Sequence, residues 1–190
     1  MRIGAAILDG TLCPGQRLRD VDLACNSASP APVREALQRL ERFGLVEIAV
    51  GRPRVSTPDN RLRDETGEFT AYLMGNALRI ALQRCSDDQH AAIVALADAV
   101  VAAALRADAV GLFEASTEMF VEVTKATGNA MFIGVIREAA LAIQRNLHGW
   151  RPFLAGPLSR NEGYGQLREC MAVRDSDGAE QMLRYLHGIA

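Results

Sequence analysis

The sequence predicts a mostly α protein in two parts. Residues 1–59 read as a small helical domain with one β-hairpin, and residues 60–190 as an all-α bundle of about six helices. Two observations carry this. A helix with a clear apolar stripe runs straight into a short alternating strand near residue 45. Beyond residue 60 no strand alternation is present, and apolar residues recur at helical spacing between turn signals. With 190 residues, 49% of them hydrophobic, the chain can bury cores for one or two domains.

The first part is the more informative. Ser29 suits an N-cap, and Pro30 suits the first helical position, where no N–H is needed. Val33, Leu37, Leu40 and Phe43 make one apolar stripe, while Arg34, Gln38 and Arg42 form a separate polar row four residues apart. Gly44 stands where a helix ends in a left-handed residue. Residues 45–50 alternate as a strand, Val50-Gly-Arg-Pro53 is the expected tip, and Arg54–Thr57 the returning strand that Pro58 stops. Ahead of it, residues 1–9 read as a helix with Ile3, Ala6 and Ile7 on one side. This helix is about a turn shorter than the first helix of such a domain ordinarily is. Asp9-Gly10 and Cys13-Pro-Gly15 are turns, Asp20–Asn26 is a short second helix, and Ser27–Ser29 the turn into the third. Helix, turn, helix and hairpin in this order make a winged helix-turn-helix, with the Arg34 row on the reading helix.

Charge alone does not point to DNA. The formal net charge is −2; residues 1–59 hold eight arginines against seven acidic residues, and residues 60–190 carry thirteen basic against sixteen acidic. All the positive charge of the first part is arginine, which suits bidentate contact with guanine or phosphate. Cys13, Cys25, Cys85 and Cys170 have no zinc-finger spacing and read as thiols of a reducing cytoplasm. The run Ala91–Leu105 is apolar but short and interrupted by Asp98, so it is expected as a buried helix rather than a membrane span. No Ser-His-Asp order, phosphate loop or dinucleotide fingerprint is present, and Glu114, Glu118 and Glu122 read as a solvated face, so no enzymatic activity is expected.

In the second part the spacing predicts helices over 62–85, 87–106, 109–127, 130–149, 162–174 and 176–188. Ser86 caps the second of these. Gly128-Asn129 closes the third and caps the fourth, and Ser176 or Asp177 starts the last. Residues 149–161, with Pro152, Gly156 and Pro157, form a loop. The whole reads as an antiparallel bundle.

The ordered set Ala5–Leu18, Asp22-Leu-Ala24, Pro32-Val-Arg-Glu-Ala-Leu37 and Leu40-Glu-Arg-Phe-Gly-Leu-Val-Glu47 resembles the GntR family of bacterial transcription regulators. The all-helical second part, with Thr127-Gly-Asn129 and Arg174-Asp175 as signposts, resembles the FCD effector domain of its FadR-type subfamily, and six helices favour the shorter VanR-like branch. The resemblance implies a homodimeric DNA-binding regulator, commonly a repressor, whose operator binding responds to a small metabolite such as a carboxylate. The DNA-contacting positions it implies are Ser29, Ala31, Arg34, Gln38, Gly51, Arg52 and Arg54. Pro30 and Ala31 replace an arginine and a threonine of the family's usual motif. That departure leaves a second reading open, a degenerate interaction or ligand-binding protein with weak specific DNA binding.

Many FCD domains hold a divalent metal on one aspartate and three histidines. Counting from the signposts, those positions fall here on Ser116, Phe120, Tyr164 and Leu186, with His187 one residue past its slot. None of the four is a strong ligand. The expectation is therefore no metal cofactor, and an effector pocket around Ser116, Phe120, Tyr164 and Leu186 with Arg79, Arg137 and Arg145 as candidate anion grips. His90 and His148 are expected as surface or cap residues.

Overall fold

The computed structural model describes all residues except 1–2, 9, 19–29, 43, 58, 148–155, 157 and 190. The expected second helix at 20–26, the Ser29 cap, Phe43, Pro58, His148 and most of the 149–161 loop lie outside the described residues. Among the described residues are α1 (Ile3–Leu8), α2 (Pro30–Arg42), β1 (Val46–Ala49), β2 (Arg52–Val55), α3 (Asn60–Arg84), α4 (Asp87–Leu105), α5 (Ala109–Ala126), α6 (Ala130–Leu147), α7 (Arg160–Ala172) and α8 (Ser176–Leu186). They form two compact units: Met1–Arg63 with Ala139–Asn146, and Asp64–Glu138 with Leu147–Ala190. The first unit thus includes eight residues of α6 that the sequence places in the bundle.

In the first unit, Ala6 and Ile7 of α1 meet Val33, Leu37 and Leu40 of α2 and Leu45, Val46 and Val55 of the hairpin. Ala142 is buried in the same cluster, and Leu141 packs on it. The approach is close: a Cβ on Gly4 would lie 2.6 Å from Leu141 Cδ1. Helix α2 ends as expected in left-handed Gly44, φ +67°. The Gly44 N–H reaches the Glu41 carbonyl and the Leu45 N–H the Leu40 carbonyl, the paired bonds of a Schellman end.

The hairpin differs from expectation. The second strand is Arg52–Val55, antiparallel to Val46–Ala49 with Ala49 opposite Arg52. The tip is therefore only Val50-Gly51, and both residues have positive φ, 51° and 69°. Two left-handed residues match the right-handed strand twist as a type I′ turn. Val50 does not continue the strand; it is 95% exposed at the tip. A further segment joins the sheet. The Gly15 N–H donates to the Val55 carbonyl, the Val55 N–H to Gln16, and Arg17 bridges Arg54. In the sequence this segment is hidden by the turn signal Cys13-Pro-Gly15.

The second unit is all helical. Met74, Leu78 and Leu82 of α3, Ile93 and Val100 of α4, Met119 and Val123 of α5, Leu167 and Met171 of α7 and Leu183 and Leu186 of α8 share one core. Helix α4 is long and apolar enough to cross a membrane, yet it packs against α5 and α7 with Ile93, Ala97, Val100 and Ala103 buried.

The helix ends explain the boundaries. Ser86 and Gln89 form a reciprocal capping box, as do Ser159 and Glu162. The second box starts α7 at Arg160, two residues before the expected 162; the Ser-x-x-Glu signal was in the sequence. Asn129 Oδ1 accepts from the Met131 N–H as expected, after left-handed Gly128. Two corners share one design. Ala107 and Arg174 take left-handed φ, 53° and 56°. The next residue, Asp108 or Asp175, caps the following helix by accepting from the N–H of Gly111 or Gly178. Helix α8 therefore starts at Ser176, as expected, with Asp175 as its cap. Arg174 adds a second fastening: its guanidinium donates to the Leu82 and Cys85 carbonyls at the end of α3 and reaches Asp87 in the first turn of α4.

Two stability changes follow. Val50→Asn should raise the unfolding free energy by about 1 kcal/mol, because asparagine tolerates the left-handed region that valine resists. Asp175→Ala should lower it by about 1 kcal/mol through loss of the cap. Urea unfolding of the full chain measures both; a destabilised Val50→Asn would contradict the turn assignment.

Candidate nucleic-acid interface and effector core

Helix α2 buries Val33, Leu37 and Leu40 and exposes Ala31, Arg34, Gln38 and Arg42. The buried stripe fixes the helix on the core, so the Arg34–Gln38–Arg42 row stands in solvent. This is the geometry a reading helix needs: an apolar back, and a polar front whose donors match base edges.

The hairpin supplies a second basic surface. Val46 and Val55 face the core, so Glu47, Arg52 and Arg54 share the outer face. Arg17 bridges Arg54 from the adjoining segment and lies on the same face. Arg54 is opposite Glu47 and donates to it at 2.9 Å. That pair offsets one of the three arginine charges and fixes the Arg54 guanidinium across the strands. Gly51 is at the exposed turn, beside Arg52. Sequence reasoning names Arg52 and Arg54 for the wing and Arg17 as a phosphate contact or plain surface; the bridge to Arg54 puts Arg17 beside the wing.

In the second unit three of the expected pocket residues belong to one core. Phe120 of α5 and Tyr164 of α7 pack against the core that holds Leu186, which is 3% exposed. Ser116, half-buried, is one turn before Phe120 on α5. The arginines do not join them. Arg79 is at the surface, 2.8 Å from Asp177, because the first turn of α8 presents that carboxylate to it. Arg137 is exposed. Arg145 belongs to the first unit, where it donates to the Leu45 carbonyl at 2.9 Å, to Ser56 Oγ at 2.9 Å and to the Ser56 carbonyl. A cleft of about 220 Å³ is lined by Asp88, Gln89, Ala92, Ile93 and Glu122, none of them an expected pocket residue. Its two carboxylates disfavour an anion.

Two histidines depart from or refine expectation. His90 is half-buried, and its Nε2 lies 2.8 Å from the Met171 carbonyl, tying α4 to α7. His187 caps the end of α8 with Nδ1 3.0 Å from the Leu183 carbonyl. A carbonyl can only accept, so each ring nitrogen is the donor. Burial pushes the His187 pKa below its usual value, against the smaller upward pull of that hydrogen bond.

The comparisons fit this geometry. The family of bacterial regulatory proteins named gntR matches residues 1–55, and the FCD domain matches residues 65–187. Among solved structures, the chain is similar to McbR/YncC of E. coli, with a TM-score of 0.67 at 20% identity over 97% of this chain and 89% of that one. It is also similar to a GntR regulator of Rhodococcus sp. RHA1, with a TM-score of 0.60 at 21% identity over 96% and 88%. A Streptococcus agalactiae GntR protein gives 0.50 at 17% over 98% and 94%. No curated protein matches.

The depressed His187 pKa sets a pH dependence. The unfolded chain binds this proton more readily than the folded one. The stabilisation is therefore complete above about pH 6.5 and is lost as pH falls toward the folded value. His187→Asn keeps a donor for Leu183 but cannot titrate, so its melting temperature should fall less than the wild type's between about pH 7 and 5. Parallel profiles would remove His187 from the account.

The exposed reading row on α2, the arginine face of the wing and the two domain matches together place this chain in the GntR family as an FCD-domain, DNA-binding transcriptional regulator.

Proposed function

We propose that the protein acts as a cytoplasmic homodimeric repressor of the VanR-like branch, without enzymatic activity. Two α2 helices would enter successive major grooves of a near-palindromic operator, with half-sites about one turn apart, ~34 Å. The observation that carries this is the solvent-facing row Arg34, Gln38 and Arg42 on a helix whose opposite face is buried. Arg34 and Gln38 are the base readers in this reading, with Ala31 at the start of the same helix and Ser29 just before it in sequence. Gly51, Arg52 and Arg54 bring the wing to the backbone or minor groove. Six helices after the wing among the described residues support the VanR-like branch.

The helical unit is the sensor. Its donor set does not fit a divalent metal: the four family positions offer a hydroxyl, a phenol and two hydrocarbon side chains, and Leu186 is packed in the core. No metal step enters this reading. A small effector would meet Phe120 and Leu186 as apolar walls and Ser116 and Tyr164 as polar handles. A carboxylate needs a cation, and of the three candidates Arg79 and Arg145 are engaged elsewhere and Arg137 is exposed. The supported class is therefore a small, largely apolar molecule with one or two polar groups. It would act by preferring one arrangement of the dimer over another.

Selection of genomic fragments by the purified protein in moderate salt should enrich one near-palindromic site. Binding that ignores sequence and vanishes with salt would instead be backbone electrostatics alone, the mark of a degenerate interaction protein. On the enriched site, Arg34→Ala should weaken binding at least about tenfold. Unchanged affinity would refute the assigned role.

A further inference from the structure

The base of the wing is held by a residue remote from it in sequence. Two backbone strands meet there: Leu45, just after α2, and Ser56, just after β2. The Ser56 N–H donates to the Leu45 carbonyl at 3.0 Å, and Ser56 Oγ donates to the Gly44 carbonyl. Arg145 adds three more bonds at the same two residues. One guanidinium nitrogen donates to both the Leu45 carbonyl and Ser56 Oγ, and the other to the Ser56 carbonyl. A single planar fork therefore spans the point where the hairpin leaves the reading helix and the point where it returns. The guanidinium is half-buried, and burial pushes its pKa below the usual arginine value. Its acceptors are neutral oxygens, so this contact selects for shape. Lysine has the charge but not the fork.

We propose that Arg145 is a positioning residue for DNA binding: it sets the angle between the wing and α2, so that Arg52 and Arg34 reach the same duplex together. It does not touch DNA in this reading. The inference rests on the assignment of Arg52 to the wing contact.

The test uses the full-length protein and a duplex enriched from a random-sequence library by the wild type. Arg145→Lys should weaken binding about tenfold while the thermal transition remains cooperative. The decisive readout is the coupling between Arg145 and Arg52. If Arg145 aims the wing, Arg52→Ala should weaken the wild type several-fold but cost almost nothing in the Arg145→Lys background. Ser56→Ala, which removes one acceptor and keeps the arginine, should show the same non-additivity and serves if Arg145→Lys does not fold. Additive losses in the cycle would overturn the proposal, since Arg145 would then act on overall stability. Full affinity in Arg145→Lys would overturn it as well, because charge alone would suffice. If Arg52→Ala alone changes nothing, the wing assignment fails and this inference falls with it. If the library yields no enriched duplex, specific DNA reading itself fails, and Arg145 has no binding to position.

Discussion

The DNA-facing half of this protein depends on how one helix stops. Helix α2 must end abruptly so that the chain can turn into β1, and the left-handed Gly44 makes that possible. Its Schellman bonds pair the last carbonyls of the helix, leaving Leu45 free to begin the hairpin with its side chain in the core. The chain then passes from the helix into the wing at once, with β1 beginning at Val46. Any residue with a Cβ at 44 would strain this corner, and its Cβ would also lie 3.3 Å from Leu62. From this corner follow the inward set Leu45, Val46 and Val55, the outward set Glu47, Arg52 and Arg54, and hence the basic face. Strand periodicity does the rest: a slip of one residue would bury the arginines.

The helical unit solves the same problem differently. Its corners at residues 106–108 and 173–175 leave no room for a loop, so there the residues that end one helix also cap the next. Ala107-Asp108 and Arg174-Asp175 each pair a left-handed residue with an aspartate cap. Arg174 extends this from local to tertiary structure, since its guanidinium covers carbonyls of α3 while its neighbour caps α8. The family signpost Arg174-Asp175 thus has a physical meaning: one dipeptide joins two corners of the bundle.

Much of this was legible because it is local. The stripe Val33–Leu37–Leu40, the Gly44 stop, the Ser86 and Asn129 caps and six helices within two residues of their observed ends all follow from spacing and end chemistry. The errors have physical sources too. The strand Arg52–Val55 was placed two residues late because Gly-Arg-Pro looks like a turn, whereas the turn is Val50-Gly51, with a β-branched residue where sequence logic expects asparagine. The third sheet segment at Gly15–Leu18 is held by backbone bonds, which leave no side-chain pattern. Arg79 and Arg145 look like candidate anion grips in the sequence because their partners, Asp177 and Ser56, are far away in it. The Phe120, Tyr164 and Leu186 cluster was found only through family positions; nothing in their spacing marks them.

The least legible feature is the composition of the first unit. A continuous amphipathic helix such as α6 carries one periodicity along its length, and that periodicity does not say which core each turn serves. Residues Ala139–Asn146 serve the core of α1, α2 and the wing, through Leu141 against Gly4, Ala142 in the buried cluster and Arg145 on the wing base. The DNA-binding unit is therefore not a contiguous stretch of chain. A fragment ending at residue 59 would expose the apolar atoms that Leu141 and Ala142 cover and leave the wing-base carbonyls without the Arg145 donors. The sequence boundary at residue 60, drawn where strand alternation ends, falls at the start of α3, and Ala139–Asn146 group with the first unit as well. Part of the packing beneath the reading head is thus encoded some eighty residues after the wing.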